Sequence, residues 1–179
     1  MSNKLTRRDF MKCAGITVLA VGAAGLLSGC EEGSGAASGG VNQPLTINGI
    51  TVTVTGYEEG KVTAGIAGIT VTDDNHVFFY PEVTIKNNTA NTYLVSSATN
   101  FTLKVDGEEY PTSATASAAA LIYNHPLLDQ DTRYGVAAGK TRNGAVAYFI
   151  PKDWKKAELK FIPDISKANE FVTFVITHK

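Results

Sequence analysis

Phe101-Thr102-Leu103-Lys104-Val105-Asp106-Gly107-Glu108-Glu109-Tyr110 holds a complete hairpin within one short stretch. Apolar Phe101, Leu103 and Val105 alternate with Thr102 and Lys104, the period of two expected of a strand with one face in a core. Asp106-Gly107 then supplies the central pair of a type I′ turn, which needs positive φ at both positions. That turn sets the register. Val105 should oppose Glu108, and Leu103 should oppose Tyr110 as a cross-strand core pair.

Working outward, the same period recurs. Ile50–Thr55 alternates Ile and Val with Thr. Val62, Ala64 and Ile66 share one phase and Ile69 and Val71 the other, which predicts a bulge or a strand break near Gly68. Asp73-Asp74-Asn75 has turn chemistry. Val77, Phe79, Val83 and Ile85 share a face interrupted by Pro81, so that strand should be bent or lie at an edge, and Asn87-Asn88 should end it. Another strand is expected over Tyr93–Ser97. Ala145–Ile150, apolar on both faces, reads as a strand near a sheet centre. Ala157, Leu159 and Phe161 alternate, as do Val172, Phe174 and Ile176. The helical candidate is Ser113–Leu121, through its alanines. Seven to nine short strands with no long amphipathic helix predict an all-β fold, an antiparallel β-sandwich.

The N-terminal segment has a different grammar. Lys4, Arg7, Arg8 and Lys12 precede an uncharged run, Ala14–Gly29, that is too short for a bilayer span of ~20 residues. A basic start, a short apolar run and small residues before a cut make a secretory signal. Thr6-Arg7-Arg8-Asp9-Phe10-Met11-Lys12 resembles the twin-arginine export motif, with Arg7, Arg8 and Phe10 at the diagnostic positions and Met11 where Leu is usual. Leu27-Ser28-Gly29-Cys30 resembles the lipobox of bacterial lipoproteins. That resemblance implies a diacylglyceryl group on Cys30 and cleavage just before it, and two or more acyl chains hold a protein firmly at a membrane.

The expected organisation is therefore a signal peptide over 1–29, the lipidated Cys30 with a Gly/Ser tether over 30–43, and one sandwich domain over 44–179. The other cysteine, Cys13, lies in the signal, so the mature chain should hold no disulfide. Twelve basic against sixteen acidic residues remain after the signal, with no basic stripe, which excludes nucleic acid as the expected partner.

Chemistry-bearing patterns are sparse. His76, His125 and His178 have no second His or Cys at ligand spacing and read as solvated, so neither a metal nor another cofactor is expected. Both methionines, Met1 and Met11, lie in the signal, which argues against copper sites built on Met and Cys. Asp73-Asp74-Asn75 lacks the alternation and the following Glu of a calcium loop. No Gly-x-Ser-x-Gly is present. Asp153, Asp129 and Asp131 read as solvated surface. Two features stand out. Ser113–Tyr134 is a long connection for a compact domain: either a binding loop presenting Tyr123, His125, Arg133 and Tyr134, or a cover for one open end of the sandwich through Leu121, Leu127 and Leu128. Trp154, the only Trp, is either a binding residue at the rim or, as a Trp just after a central strand more often is, a plug in the gap between sheets.

The segments 100–112, "NFTLKVDGEEYPT", and 135–163, "GVAAGKTRNGAVAYFIPKDWKKAELKFIP", resemble a family of small bacterial lipoprotein domains of unknown function. Phe101, Leu103, Gly107 and Tyr110 match its first motif. Gly139, Gly144, Val146, Tyr148, Ile150 and Pro151 match its second, with Ala138 where proline is common and Tyr148 in place of Phe. The resemblance implies an immunoglobulin-like sandwich, similar to the mycobacterial secreted immunoprotective antigen, and carries over no catalytic residues. The expectation is a non-enzymatic binding module, lipid-anchored on the outer face of the cell membrane, whose partner is an envelope protein or glycan. A metal or small-ligand carrier comes next, since the twin-arginine route moves folded proteins, and an envelope hydrolase third.

Overall fold

The computed structural model describes residues 37–66, 69–122, 124–130 and 135–178, and for 62–66 and 69–72 the backbone alone. The export and lipidation residues Arg7, Arg8, Phe10 and Cys30 lie outside the described residues.

The described residues form ten strands in two facing sheets, the expected immunoglobulin-like sandwich with one strand beyond the seven to nine expected. One sheet holds, in spatial order, β1 (Ala37–Gly40), β10 (Val172–Thr177), β9 (Lys156–Phe161), β5 (Phe101–Val105) and β6 (Glu108–Tyr110). The other holds β2 (Leu45–Ile47), β3 (Ile50–Ile66), β4 (Ile69–Asn87) and β7 (Thr141–Ala145), with β8 (Tyr148–Pro151) continuing beyond β7 along the same side of β4. Inward residues of both sheets, among them Val52, Val83, Leu103, Leu159, Phe161 and Phe174, make one buried core. Burying a side chain of this size contributes about 1.5–3 kcal/mol, so the alternating faces dominate the stability.

The central hairpin folds as its residues require. Asp106 and Gly107 have φ of 49° and 98°. Leu103 pairs with Tyr110 and Val105 with Glu108. Leu103 is fully buried, whereas Tyr110 is only partly buried, against the margin of the core. The Asp106 carboxylate has a second use: it accepts from the Lys155 N–H at 3.0 Å and the Lys156 N–H at 2.9 Å, tying the turn to the start of β9.

Several expectations are corrected. The tether does not run to Gln43, nor does the domain start at Pro44: Ala37–Gly40 is a strand, paired in parallel with Val172–Val175 of β10. A strand edge offers unpaired N–H and C=O groups, and main-chain pairing needs no apolar side chains. The phase slip expected near Gly68 lies outside the described residues; β3 and β4 pair with each other up to Ile66 opposite Ile69. Asp73-Asp74-Asn75 does not separate strands. It lies inside β4, where the register steps from Thr63–Thr72 to Lys61–Val77, so its turn chemistry makes a bulge. Pro81 is not at an edge either, since β4 is paired on both sides. It sits where β7 gives way to β8, and its carbonyl accepts from Val146 N–H at 3.1 Å.

Tyr93–Ser97 is not a strand. Tyr93 makes one isolated bridge to Val136, and a short helix, α1 (Ser97–Asn100), follows. Asn87 ends β4 as expected. Buried, it donates to the carbonyls of Asn91 at 2.7 Å and Val136 at 2.8 Å and accepts from Thr89, which leaves it satisfied without a further strand partner. Ala145–Ile150 is not central. It divides into β7 and β8 at the margin of the sheet, and its outer face is buried because helix α2 (Ala114–Ile122) lies across it. Ala116, Ala119 and Ala120 pack there on Phe78, Tyr80, Ala145 and Ala147.

Candidate binding cleft at His125

The cleft begins with a defect in β3. Between Val54 and Gly56 the strand carries one residue more than β4, and the extra residue, Thr55, turns its hydroxyl to the Glu82 carbonyl at 3.4 Å. Because Phe79, Val83 and Ile85 point inward, Phe78, Tyr80, Glu82 and Thr84 face out. Tyr80 anchors the helix above it, donating from its hydroxyl to the Ala116 carbonyl at 3.1 Å.

The chain leaving α2 closes the cleft. Asn124 takes positive φ, and the His125 N–H returns to the Ala120 carbonyl at 2.8 Å, ending the helix. Residues 126–128 then run along the outer edge of β7, with Ala145 N–H on the Pro126 carbonyl at 2.8 Å and Leu128 N–H on the Ala145 carbonyl at 3.0 Å. This approach is so close that a Cβ at Gly144 would stand 2.5 Å from Leu128 N, which explains a glycine in mid-strand. The long connection therefore protects an edge of the sandwich, not an open end. It buries Leu128, half-covers Leu127 and leaves Leu121 exposed.

That path lays the His125 ring on Tyr80, centroids 5.2 Å apart and 22° from parallel, with Nε2 3.3 Å from Glu58 Oε2. A cleft of about 280 Å³ opens beside it, lined by Thr55, Tyr80, Glu82, Thr84, His125 and Asn143 among others. Its chemistry is a partly exposed imidazole, the Glu82 carboxylate, an aromatic face, hydroxyls and an amide, with Glu58 paired to the imidazole beside it. The imidazole is oriented by a carboxylate and a ring. Tyr123, Arg133 and Tyr134, the other expected contact residues, lie outside the described residues.

The remaining histidines are not merely solvated. His76 Nδ1 is 2.8 Å from Asp73 Oδ2, and its ring stacks on Phe149. The Asp73 carboxyl is held below the usual carboxylate range, chiefly by the Asn75 N–H and further by His76. His178 Nε2 is 3.3 Å from Glu59 Oε1 and packs against Trp154. Trp154 is the expected plug: buried against Phe79 and Tyr57, it donates from Nε1 to Glu59 at 2.6 Å. Each histidine thus has a carboxylate and an aromatic ring of its own. Among the described residues no three His, Cys, Asp or Glu side chains converge. Asp129 is no bystander either. It accepts from the Ser97 N–H and hydroxyl, fixing the start of α1 beside a second cleft of about 270 Å³.

Comparison with known proteins bears on this geometry. The family model described as "Domain of unknown function (DUF4352)" matches residues 39–171, from within β1 to the threshold of β10. This chain belongs to the DUF4352 family. Among solved structures, a functionally unknown protein from Listeria monocytogenes EGD-e is 15% identical, with a TM-score of 0.53 over 78% of this chain and 84% of that one, and it supports the fold. An uncharacterised β-sandwich protein from Clostridium difficile 630 is 12% identical over 84% of this chain and all of that one, at a TM-score of 0.49. The yjhA protein from Bacillus subtilis is 18% identical over 75% of this chain and 98% of that one, at 0.48. No curated protein matches. The description of that family names no activity.

Of the cleft, sequence reasoning finds His125 and misses Glu58, Tyr80, Glu82, Thr55 and Asn143. A signal for Thr55 and Glu58 is present in Thr55-Gly56-Tyr57-Glu58-Glu59-Gly60, where glycines and acids interrupt clean alternation.

Proposed function

We propose that this DUF4352 domain is a lipid-anchored recognition module of the cell envelope, exported by the twin-arginine route, held at Cys30 and binding an envelope protein or glycan through the cleft at His125. The observation that carries the binding role is the placement of His125. A long connection spends its residues on wrapping a sheet edge and presents an imidazole, stacked on Tyr80 and paired with Glu58, at the mouth of a polar cleft. The carboxylate of Glu82 in the lining, with Glu58 paired to His125 beside it, favours a basic or hydroxyl-rich group. The flanking Thr84 and Asn143 supply the donors and acceptors that orient such a group.

The test is a screen of envelope glycans and basic peptides against protein purified from host membranes, followed by His125→Ala and Glu58→Gln. Both variants should weaken the selected ligand about tenfold or more, the scale of losing one charged hydrogen bond, with the melting temperature unchanged. Unaltered affinity in both variants removes the cleft from the reading. A stoichiometric metal retained through dialysis replaces the reading with the carrier.

A further inference from the structure

We propose that one end of the sandwich rests on the lipid surface, with the side chains of Leu94 and Ile165 entering it, and that the His125 cleft is thereby held clear of the membrane. This rests on the reading of Cys30 as the lipidated residue.

The argument starts from where the chain enters the fold. Ala37 opens β1 opposite Val172, and Val172 opposes Phe161 at the end of β9, which in turn opposes Phe101 at the start of β5. These four residues mark one end of the sandwich. Only residues 31–36 separate Cys30 from Ala37, and even fully extended that stretch reaches on the order of 25 Å. An acyl chain on Cys30 therefore keeps this end within about 25 Å of the membrane, whatever path the tether takes.

The same end carries an apolar tip. Two loops meet there, before α1 and after β9. The Tyr93 hydroxyl donates to the Pro163 carbonyl at 3.0 Å, and its ring packs edge-on to Phe161. Leu94, in the first loop, is 71% exposed, and Ile165, in the second, is 64% exposed. They are the two most exposed large apolar side chains among the described residues. Isolated apolar residues on a surface are ordinary. Here both fall on the end that the tether brings to the bilayer.

Charge neither drives nor opposes the contact. Lys86, Lys140, Lys160 and Lys167 lie near this end with Asp164 and Glu170, and the tether adds Glu31 and Glu32. The balance is close to neutral, so insertion rests on apolar transfer and should not depend on salt. The cleft runs along β4 from Thr84, about 10 Å from Asn87 at the membrane end, to Tyr80 beneath His125, about 20 Å from it.

Lipidated protein purified from host membranes and reconstituted in phosphatidylethanolamine–phosphatidylglycerol vesicles tests this. The signal having been cleaved and Cys30 acylated, Leu94→Cys, Ile165→Cys and, at the opposite end, Glu108→Cys each carry the only free thiol for an environment-sensitive fluorophore. At 94 and 165 the label should shift to the blue, be quenched by a lipid-borne quencher and be quenched by aqueous iodide about three times less than at 108, as for groups lodged at the headgroup boundary. Raising the salt should not reverse it. Equal iodide quenching at 94, 165 and 108 in vesicle-bound protein overturns the orientation while leaving the anchor intact. Shielding from iodide without lipid quenching means a protein contact and also overturns it. Absence of the diacylglyceryl mass on Cys30 overturns the anchor reading and the orientation with it.

Discussion

The Tyr148 hydroxyl is buried and has no hydrogen-bond partner among the described residues. Its ring belongs to the main core, at the point where β8 begins, and the motif that this stretch resembles has Phe there. A buried donor left unpaired costs about 1–3 kcal/mol, whereas the ring alone loses nothing by the exchange. Tyr148→Phe should therefore stabilise the domain by about 1 kcal/mol, read as a higher urea midpoint. A lower midpoint would mean the hydroxyl has a partner. Gly144 shows the converse constraint, since any side chain there meets the backbone of Leu128.

Among the elements, β1 bears most directly on how the domain is delimited. Its pairing with β10 covers a strand edge that otherwise presents free N–H and C=O groups. The strand is held at its far end as well, where Asn42 N–H reaches the Val54 carbonyl at 2.7 Å. A protein starting at Pro44 should be less stable than one starting at Ala37 by about 1–3 kcal/mol, a few net hydrogen bonds at ~1 kcal/mol each. With the β10 edge bare it should also self-associate, visible as concentration-dependent mass in light scattering. Equal stability and monomeric behaviour of the two proteins would make β1 dispensable. At the hairpin of β5 and β6, by contrast, the residues alone specify the element, and the structure adds that Tyr110 sits at the core margin rather than within it and that Asp106 ties the turn to β9.

For the whole molecule, titration links the layers. Burial raises the phenols of Tyr93 and Tyr148 well above their ordinary value near 10, and Asp164 adds to the rise at Tyr93. Once the pH passes about 10 the unfolded chain releases these protons while the folded one keeps them, so the unfolded state gains and stability falls. The urea midpoint should hold between pH 7 and about 9 and drop above about 10, and Tyr148→Phe should lessen the drop. A midpoint still level at pH ~11.5 would contradict the burial of both rings. At the acid side the sign reverses. The carboxyl of Asp164, held low by the Ser166 hydroxyl and N–H, contributes stability at neutral pH, as does Asp73, and that contribution is lost as the pH falls below about 4.

Local pattern was enough for the sheet-forming character of the chain, the Asp106-Gly107 register, the inward faces of β9 and β10 and the plug at Trp154. In each case the decisive forces act between neighbours in sequence or on a single face: turn dihedrals, period-two burial, an aromatic at a strand exit. Tertiary structure alone decided that glycine- and serine-rich Ala37–Gly40 becomes a strand, because the β10 edge recruits it through the main chain. It also decided that Asp73-Asp74-Asn75 bulges within β4 instead of ending it, since β8 and β3 hold that strand from both sides. The cleft is tertiary too. Glu58, Tyr80 and His125 come from β3, β4 and the loop after α2, and no local period relates them. Only the wrapping of that loop around the β7 edge brings an imidazole, a carboxylate and a ring to one place.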